Sequence, residues 1–476
     1  MNRKPNLLYV FADQLRWSSC GYAGDKRAKT PNIDRLASES VDLCNAVSGH
    51  PVCAPYRASL FTGKYTTSTG MVINEIRMNT DHTCFAHILN GAGFETAYIG
   101  KWHMYANELG NHFDPKNSFI PPGPDRLGFD GFFAAYNFHH DYYGEHAYYH
   151  TNSPEKVYVD KYEPDAQTDM AIERLEEFSK SDKPFALFLS YGTPHDPWIP
   201  ENVPKEYLDM FKDVEFELPP NYLPENDPHA DAWARLSEGE RGQLTEWMRV
   251  YYAMTANLDY NIGRLLEALK RLNLENDTIL VFTSDHGELF GAHGRRAKNI
   301  FYDEAVRVPF LIRWPGKLKP HKCDVCLNTV DIMPTLLGMM NLPIPPEVEG
   351  MDISRKIMTG EGPEPEFALM MCTGATADFS DGHEWRAIRD KRYTYAIYRS
   401  DGLELLFDNL SDPYQMNNLA TNPEYEFLLN KYRTKLKQKM HSINDTFESC
   451  SYYRDNWIRN RIILKTATLH TDLALD

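Results

Sequence analysis

The chain has 476 residues, 42% of them hydrophobic and 25% charged, with a formal net charge of −17. This balance excludes a disordered chain, a collagen-like repeat and a disulfide-stapled miniature, and the length predicts one large domain with a smaller partner, or two domains of ordinary size. So negative a chain is a poor partner for nucleic acid, and any anionic ligand must be captured by a few cations concentrated in a pocket.

The start, Met1-Asn2-Arg3-Lys4-Pro5, is positively charged, but the apolar run Leu7 to Ala12 stops at Asp13 and is shorter than the ~7–15 residues of a secretory core. A natural start at Met1 predicts a cytoplasmic protein; a leader removed from the chain would place it in the periplasm or outside the cell. No run approaches the ~20 apolar residues of a membrane span, so no membrane association is expected.

Asn6 to Phe11 reads as a fully covered strand ending at Asp13-Gln14. Phe94 to Ile99 leads in the same way into Gly100-Lys101-Trp102-His103, Phe185 to Ser190 into Thr193-Pro194-His195, and Asp277 to Thr283 into Asp285-His286. Between the last two, Tyr251, Met254, Leu258, Ile262, Leu265, Leu269 and Leu272 recur every three or four residues and predict one apolar face on a long helix. The alternation predicts an α/β sandwich around a mostly parallel sheet, with a site at the carboxyl ends of the strands. The Pro-, Glu- and Gly-rich segment 341–366 predicts a connection to a second unit, in which Tyr393 to Tyr398, a turn at Asp401-Gly402 and Leu403 to Phe407 form a β-hairpin. The tail from Cys450 mixes aromatic and aliphatic residues with Arg454, Arg459, Arg461 and Lys465, and is expected to fold back on its own domain.

Eight cysteines lie scattered along the chain without the spacing of a disulfide framework and are expected to be mostly reduced. Cys323-Asp324-Val325-Cys326 has no second pair nearby, which disfavours zinc and redox roles. Cys53-Ala54-Pro55-Tyr56-Arg57, followed by Leu60-Phe61-Thr62-Gly63-Lys64, is different. This Cys-x-Pro-x-Arg stretch resembles the signature of the type I, formylglycine-dependent sulfatases of the alkaline phosphatase superfamily.

The resemblance, which covers most of residues 5 to 420, implies an alkaline phosphatase-like α/β sandwich: a large, mostly parallel sheet flanked by helices in residues 1–365, and a smaller C-terminal antiparallel sheet with a helix in residues 366–476. It implies that a maturation enzyme converts Cys53 to formylglycine, whose hydrate attacks the sulfur of a sulfate ester. Asp13, Gln14, Asp285 and His286 match the ligands of one divalent cation, usually Ca²⁺. Many members carry Asp-Asp where this chain has Asp13-Gln14, and Asn is a frequent alternative to His286; one carboxylate fewer and one nitrogen more admit Mn²⁺, with Mg²⁺ a further oxygen-seeking ion. Lys101 and Lys298 match the sulfate-binding lysines, His103 the base that expels sulfate, and His195 the histidine near the leaving oxygen. Arg57 is expected to hold the diol. Asn74, His139 and His140, with Trp198, Arg295 and Arg296, are candidates for substrate binding.

The expected reaction is hydrolysis of an O-sulfate ester, on a carbohydrate or a small molecule. Phosphonate monoester hydrolases and phosphodiesterases of the same superfamily are the alternative enzyme class. They generally lack the Lys-x-His pair, which tips the reading toward a sulfatase. A catalytically silent glycan-binding protein is the non-enzyme alternative, and a homo-oligomer built through the tail a further expectation.

Overall fold

A computed structural model describes residues 4–106, 108, 110, 111, 113–144 and 147–469. Its main sheet has eight strands: Asn6–Ala12 (β1), Val41–Leu43 (β2), Glu95–Lys101 (β3), Phe132–Tyr136 (β4), Phe185–Ser190 (β5), Thr278–Ser284 (β6), Phe310–Arg313 (β7) and His321–Cys323 (β8). The spatial order is β8-β2-β7-β6-β1-β5-β3-β4. Only β7 runs against both its neighbours; the remaining pairs are parallel.

β1 lies in the middle, with Leu8 in register with Leu187 of β5 and with Leu280 of β6. Successive side chains of a strand point to opposite faces, and β1 needs an apolar residue on both. Leu7, Tyr9 and Phe11 join one core with Leu60 and Phe61 of Cys53–Thr62 (α1), while Leu8, Val10 and Ala12 join the other with Leu175 of Glu163–Phe178 (α2) and Leu258 of Leu244–Arg271 (α3). Each such side chain contributes about 1.5–3 kcal/mol on burial. α3 begins before Tyr251, because Leu244 and Met248 continue its buried stripe. Thr329–Met339 (α4) completes the cover on the α1 side, through Leu336 and Leu337.

The second sheet is antiparallel, with Ala368–Cys372 (β9), Trp385–Arg389 (β10), Tyr393–Tyr398 (β11) and Glu404–Asp408 (β12) in sequential order. Leu369, Ile388 and Leu406 meet Leu429 and Leu436 of Glu426–Ser442 (α5), whereas Met370, Trp385 and Phe407 pack against Leu289, Ile300 and Phe301 beside the main sheet. The proline-rich connection is pinned rather than loose. Gly350 N–H donates to Gly63 O at the end of α1 (3.1 Å) and Met351 N–H to Asp331 Oδ1 (2.7 Å).

Beyond α5, Cys450–Trp457 (α6) leads into a ribbon of Ile458–Arg459 (β13) and Ile462–Ile463 (β14). Tyr453, Trp457 and Ile463 enter the same core as α1. Gly70, at φ +74°, sits so close to the ribbon that a Cβ there would lie 2.5 Å from Ile463, which is why glycine is needed. The tail therefore docks on its own chain; Met1 to Arg3 and positions 470–476 lie outside the described residues. All eight cysteines are free thiols. No helix among the described residues is long and apolar enough to cross a membrane.

Candidate active site

Four strand ends open side by side in the order β6, β1, β5, β3. β6 delivers Asp285 and His286, β1 delivers Asp13 and Gln14, the loop after β5 delivers His195, and β3 ends on Lys101. α1 starts at the same place with Cys53 in its first turn, following Val52 in extended conformation. Its N-terminus presents the positive end of the helix dipole, which favours an anion there.

Asp13, Cys53, Asp285 and His286 are fully buried, and each offers a ligand atom within 4.8 Å of the others. Cys53 Sγ, which stands where the oxygen of the converted residue would be, lies 3.3 Å from His286 Nε2 and 3.6 Å from Asp13 Oδ1. Asp285 Oδ1 accepts from Gln14 N–H (3.0 Å) and His286 N–H (2.9 Å), but Oδ2 is buried without a hydrogen bond. A buried carboxylate oxygen without a hydrogen bond is costly, and Arg57 at 3.6 Å gives this one only an ion pair, so the cluster fits a divalent cation. Gln14, held at φ +70°, donates Nε2–H to Glu288 Oε2 (2.6 Å), which turns its carbonyl oxygen toward the cluster. Glu288 thereby fixes the orientation of Gln14. Nothing in the sequence pattern singles it out beyond its position two residues after His286.

Cations surround this cluster. Lys101 Nζ lies 2.7 Å from Asp13 Oδ2 and 3.8 Å from Cys53 Sγ. Lys298 Nζ reaches Cys53 Sγ (3.0 Å), Gln14 Oε1 (3.2 Å) and His195 Nε2 (2.8 Å). Burial alone would raise the Cys53 thiol, but Lys101, Lys298 and His286 hold it well below its ordinary value. Burial and Cys53 likewise push Asp13 up, and Lys101, His195 and Lys298 outweigh them, so Asp13 stays ionised. Asp285 moves the other way, raised by burial and by Asp13 beside it.

His195 Nδ1 lies 2.9 Å from Asp196 Oδ1. Burial and Lys298 oppose charge on this imidazole, yet Asp196 and Asp13 raise it to about 9. At 2.8 Å the space between Lys298 Nζ and His195 Nε2 holds one proton, not two. An anion placed between them relieves that conflict by accepting from both.

Arg57 differs from expectation. Its guanidinium bonds Lys101 O (2.6 Å), Ser190 Oγ (2.7 Å) and Asp13 Oδ2 (3.2 Å) and lies 3.6 Å from Asp285 Oδ2, so its hydrogen bonds go to the frame of the site rather than to Cys53. Lys101 and His103 do share a side, with Trp102 turned into an aromatic core stacked on Phe61. His103 is not extended, however: it sits at φ +57°, its ring stacked on Phe138 and its Nε2 3.1 Å from Glu75 Oε1.

A cavity of about 510 Å³ opens over these groups, lined among others by Asn74, His140, Asp196, Trp233, Arg296 and Thr376. Asn74 Oδ1 accepts from Ala54 N–H (2.9 Å), bracing the first turn of α1. His140 lies against His195, tilted by 36° with ring centroids 3.9 Å apart. His139 reaches the cavity wall but is buried, its Nε2 3.2 Å from Glu163 Oε2. Burial lowers His139 to about 3 and raises Glu163 to about 8, and the His139 Nε2 hydrogen bond goes to Tyr148 O (3.2 Å), so the two are neutral neighbours and bring no charge to a substrate. Arg296 lines the cavity beside Asp196 and Glu240. Trp198 and Arg295 do not line it. Trp198 packs on Phe290 and Trp247, and buried Arg295 pairs with Asp227 at 2.8 Å. Trp233 and Thr376 were not foreseen, since they lie in irregular segments far from any motif.

The sequence pattern of the Sulfatase family matches residues 5–342, more than half of the chain. This protein belongs to the sulfatase family. A second pattern, the C-terminal part of N-sulphoglucosamine sulphohydrolase, matches residues 291–442. The sulfatase is 41% identical over 457 residues to an ulvan-active sulfatase of Formosa agariphila, covering 94% of this chain and 84% of that relative. It superposes on the YidJ sulfatase of Bacteroides fragilis with a TM-score of 0.81 at 30% identity, covering 94% and 98% of the two chains. A 4S-sulfatase structure from work on glycosaminoglycan metabolism by Bacteroides thetaiotaomicron gives a TM-score of 0.79 at 27% identity, covering 95% and 98%. The chain is thus a sulfuric ester hydrolase. Its buried Asp-Cys-Asp-His cluster fits the divalent cation and formylglycine typical of the family.

Proposed function

We propose that this sulfatase removes an O-sulfate from a carbohydrate, releasing an alcohol and inorganic sulfate by S–O cleavage, with a formylglycine made from Cys53 and one Ca²⁺ ion. The observation that carries the reading is the pair of buried lysines reaching Cys53 Sγ, Lys101 at 3.8 Å and Lys298 at 3.0 Å. The charged oxygens of a sulfate monoester repel a nucleophile, and two ammonium groups fixed in a dry site neutralise them without reorganisation. When present, formylglycine supplies the oxygen nucleophile and the cation withdraws charge from the sulfate. Around them Arg57 holds Asp13 and Asp285 in place. His195, kept charged by Asp196, holds a proton for the departing alcohol. His103, on the same side as Lys101, is positioned to take one up.

Asp13, Gln14 and Asp285 make an oxygen-rich donor set, which supports Ca²⁺, while His286 is the nitrogen that a softer ion would prefer. Stripping the protein with EDTA is expected to abolish turnover and lower its thermal midpoint, because a ion bound only by the folded state stabilises it by mass action. Micromolar Ca²⁺ should restore both, on the order of its dissociation constant in such sites. Restoration by Mn²⁺ alone would reassign the metal.

The carbohydrate assignment draws on the ulvan-active and glycosaminoglycan-related relatives and on Trp233, which lines the cavity with 48% of its surface exposed. A flat indole at the mouth suits the apolar face of a pyranose. Trp233→Ala is expected to raise KM for a sulfated oligosaccharide about tenfold, the upper end for one aromatic contact, with kcat little changed. Turnover of a small aryl sulfate should be unaffected. A panel of sulfated sugars beside aryl sulfates and a phosphonate monoester tests the assignment; preference for the phosphonate would overturn it.

A further inference from the structure

We propose that Glu75 is a positioning residue for His103, fixing which ring nitrogen faces the reacting group, and that the C-terminal ribbon holds Glu75 in place. The inference rests on the sulfatase reading only for the role of His103; the geometry stands by itself. Glu75 Oε1 lies 3.1 Å from His103 Nε2, and the two residues are 4% and 1% exposed. A carboxylate can only accept, so Nε2 carries the hydrogen, and in the neutral ring Nδ1 keeps its lone pair. Nδ1 is the ring atom with no hydrogen-bond partner in the protein. The ring is held against Phe138, with centroids 4.4 Å apart.

Both residues hold the left-handed backbone conformation, Glu75 at φ +61° and His103 at φ +57°, which side-chain-bearing residues adopt only when the surroundings enforce it. For Glu75 the enforcement comes from both flanks. Asn74 N–H donates to Thr376 O (2.9 Å), on the loop after β9. On the other flank Arg461, in the turn of the β13–β14 ribbon, donates Nη1–H to Glu75 O (2.5 Å), and its own carbonyl accepts from Arg77 N–H (2.6 Å). Ile463 N–H then donates to Arg77 O (3.1 Å), closing a short parallel pairing of the ribbon with the segment that follows Glu75. The ribbon thus touches neither lysine nor Cys53, and acts through Glu75 on His103.

Glu75→Gln separates orientation from mere packing. The variant is isosteric, but its amide can donate to Nε2 and so favours hydrogen on Nδ1, the wrong tautomer, as in a triad whose Asp is replaced by Asn. It is expected to lower kcat about 100-fold with KM within about twofold and the thermal midpoint unchanged. Glu75→Asp, which can only accept, should recover at least about tenfold of that loss. Arg461→Ala should lower kcat in the same direction by a smaller factor. Independently of turnover, ¹⁵N spectra of histidine-labelled protein, with the His103 signal assigned through His103→Ala, should show hydrogen on Nε2 in the parent and on Nδ1 in Glu75→Gln. This reading needs neither metal nor converted Cys53. Wild-type kcat in Glu75→Gln, or an unchanged tautomer, would overturn the proposal. A parent enzyme inactive on every sulfate ester would overturn the function of the site while leaving the tautomer result to decide the role of Glu75.

Discussion

Cys53→Ala is expected to lower turnover of sulfate esters by ~10⁴-fold or more, the size of loss seen when a nucleophile is removed from an otherwise intact site. Cys53 Sγ is the meeting point of the cluster, within 4 Å of Lys101, Lys298, His286 and Asp13. No neighbouring side chain is positioned to replace it: Asp13 and Asp285 are committed to Arg57, Lys101 and the backbone. Alanine removes a single buried heavy atom, so the fold and the cation site should survive, and the variant should still bind substrate. The matching measurement is the mass of the peptide that ends at Arg57, which should fall by ~18 Da on conversion of thiol to aldehyde. Active protein carrying an unconverted thiol would remove the proposed nucleophile and leave the metal cluster as the reacting centre.

Lys298→Ala is expected to cost ~10²–10³-fold in kcat, the usual price of one fixed charge-stabilising donor. Among the described residues Lys298 alone touches Cys53, Gln14 and His195 together, so in the proposed mechanism it couples the nucleophile, a metal ligand and the proton donor. Its loss also has a signed pH signature. His195 is held at about 9 against the opposing effect of Lys298, and serves as a donor only while protonated. Activity should therefore decline as pH rises through about 9 in the parent. Without Lys298 that decline should move to higher pH, because a positive neighbour has been removed. A pH–kcat profile measured on both proteins checks the direction; an alkaline limb that stays put or moves down would show that His195 is not the donor.

How much of this was legible beforehand depended on what each residue answers to. β1 and β6 could be read because a central parallel strand needs apolar residues on both faces and must end abruptly where the site begins. For the same reason Asp13, Asp285, Lys101 and His195 could be placed at neighbouring strand ends. The long-range partners were not legible. Glu288 orients Gln14 and Asp196 charges His195 through single hydrogen bonds, which leave no period or spacing in the chain. His103 was expected on an extended segment beside Lys101, and it does face the same way, but through a left-handed turn that composition cannot announce. Trp198 and Arg295 failed as cavity residues because a sequence tells that an aromatic or a cation is present, not which side of a loop it occupies. The proline-rich segment lies before the second sheet, while its anchoring to Gly63 depended on tertiary contacts alone.

The ribbon that grips Glu75 also sets a clock. Arg461 follows its partner by 386 positions, so at 5–20 residues per second the loop carrying Asn74 and Glu75 waits roughly 20–80 s during synthesis before its clamp exists. Cys53 is fully buried once the site closes. If a separate enzyme converts its side chain, as the proposed function requires, the growing chain is where that side chain is most open to it, and slower synthesis of the second half should leave less of the product with an ordinary thiol.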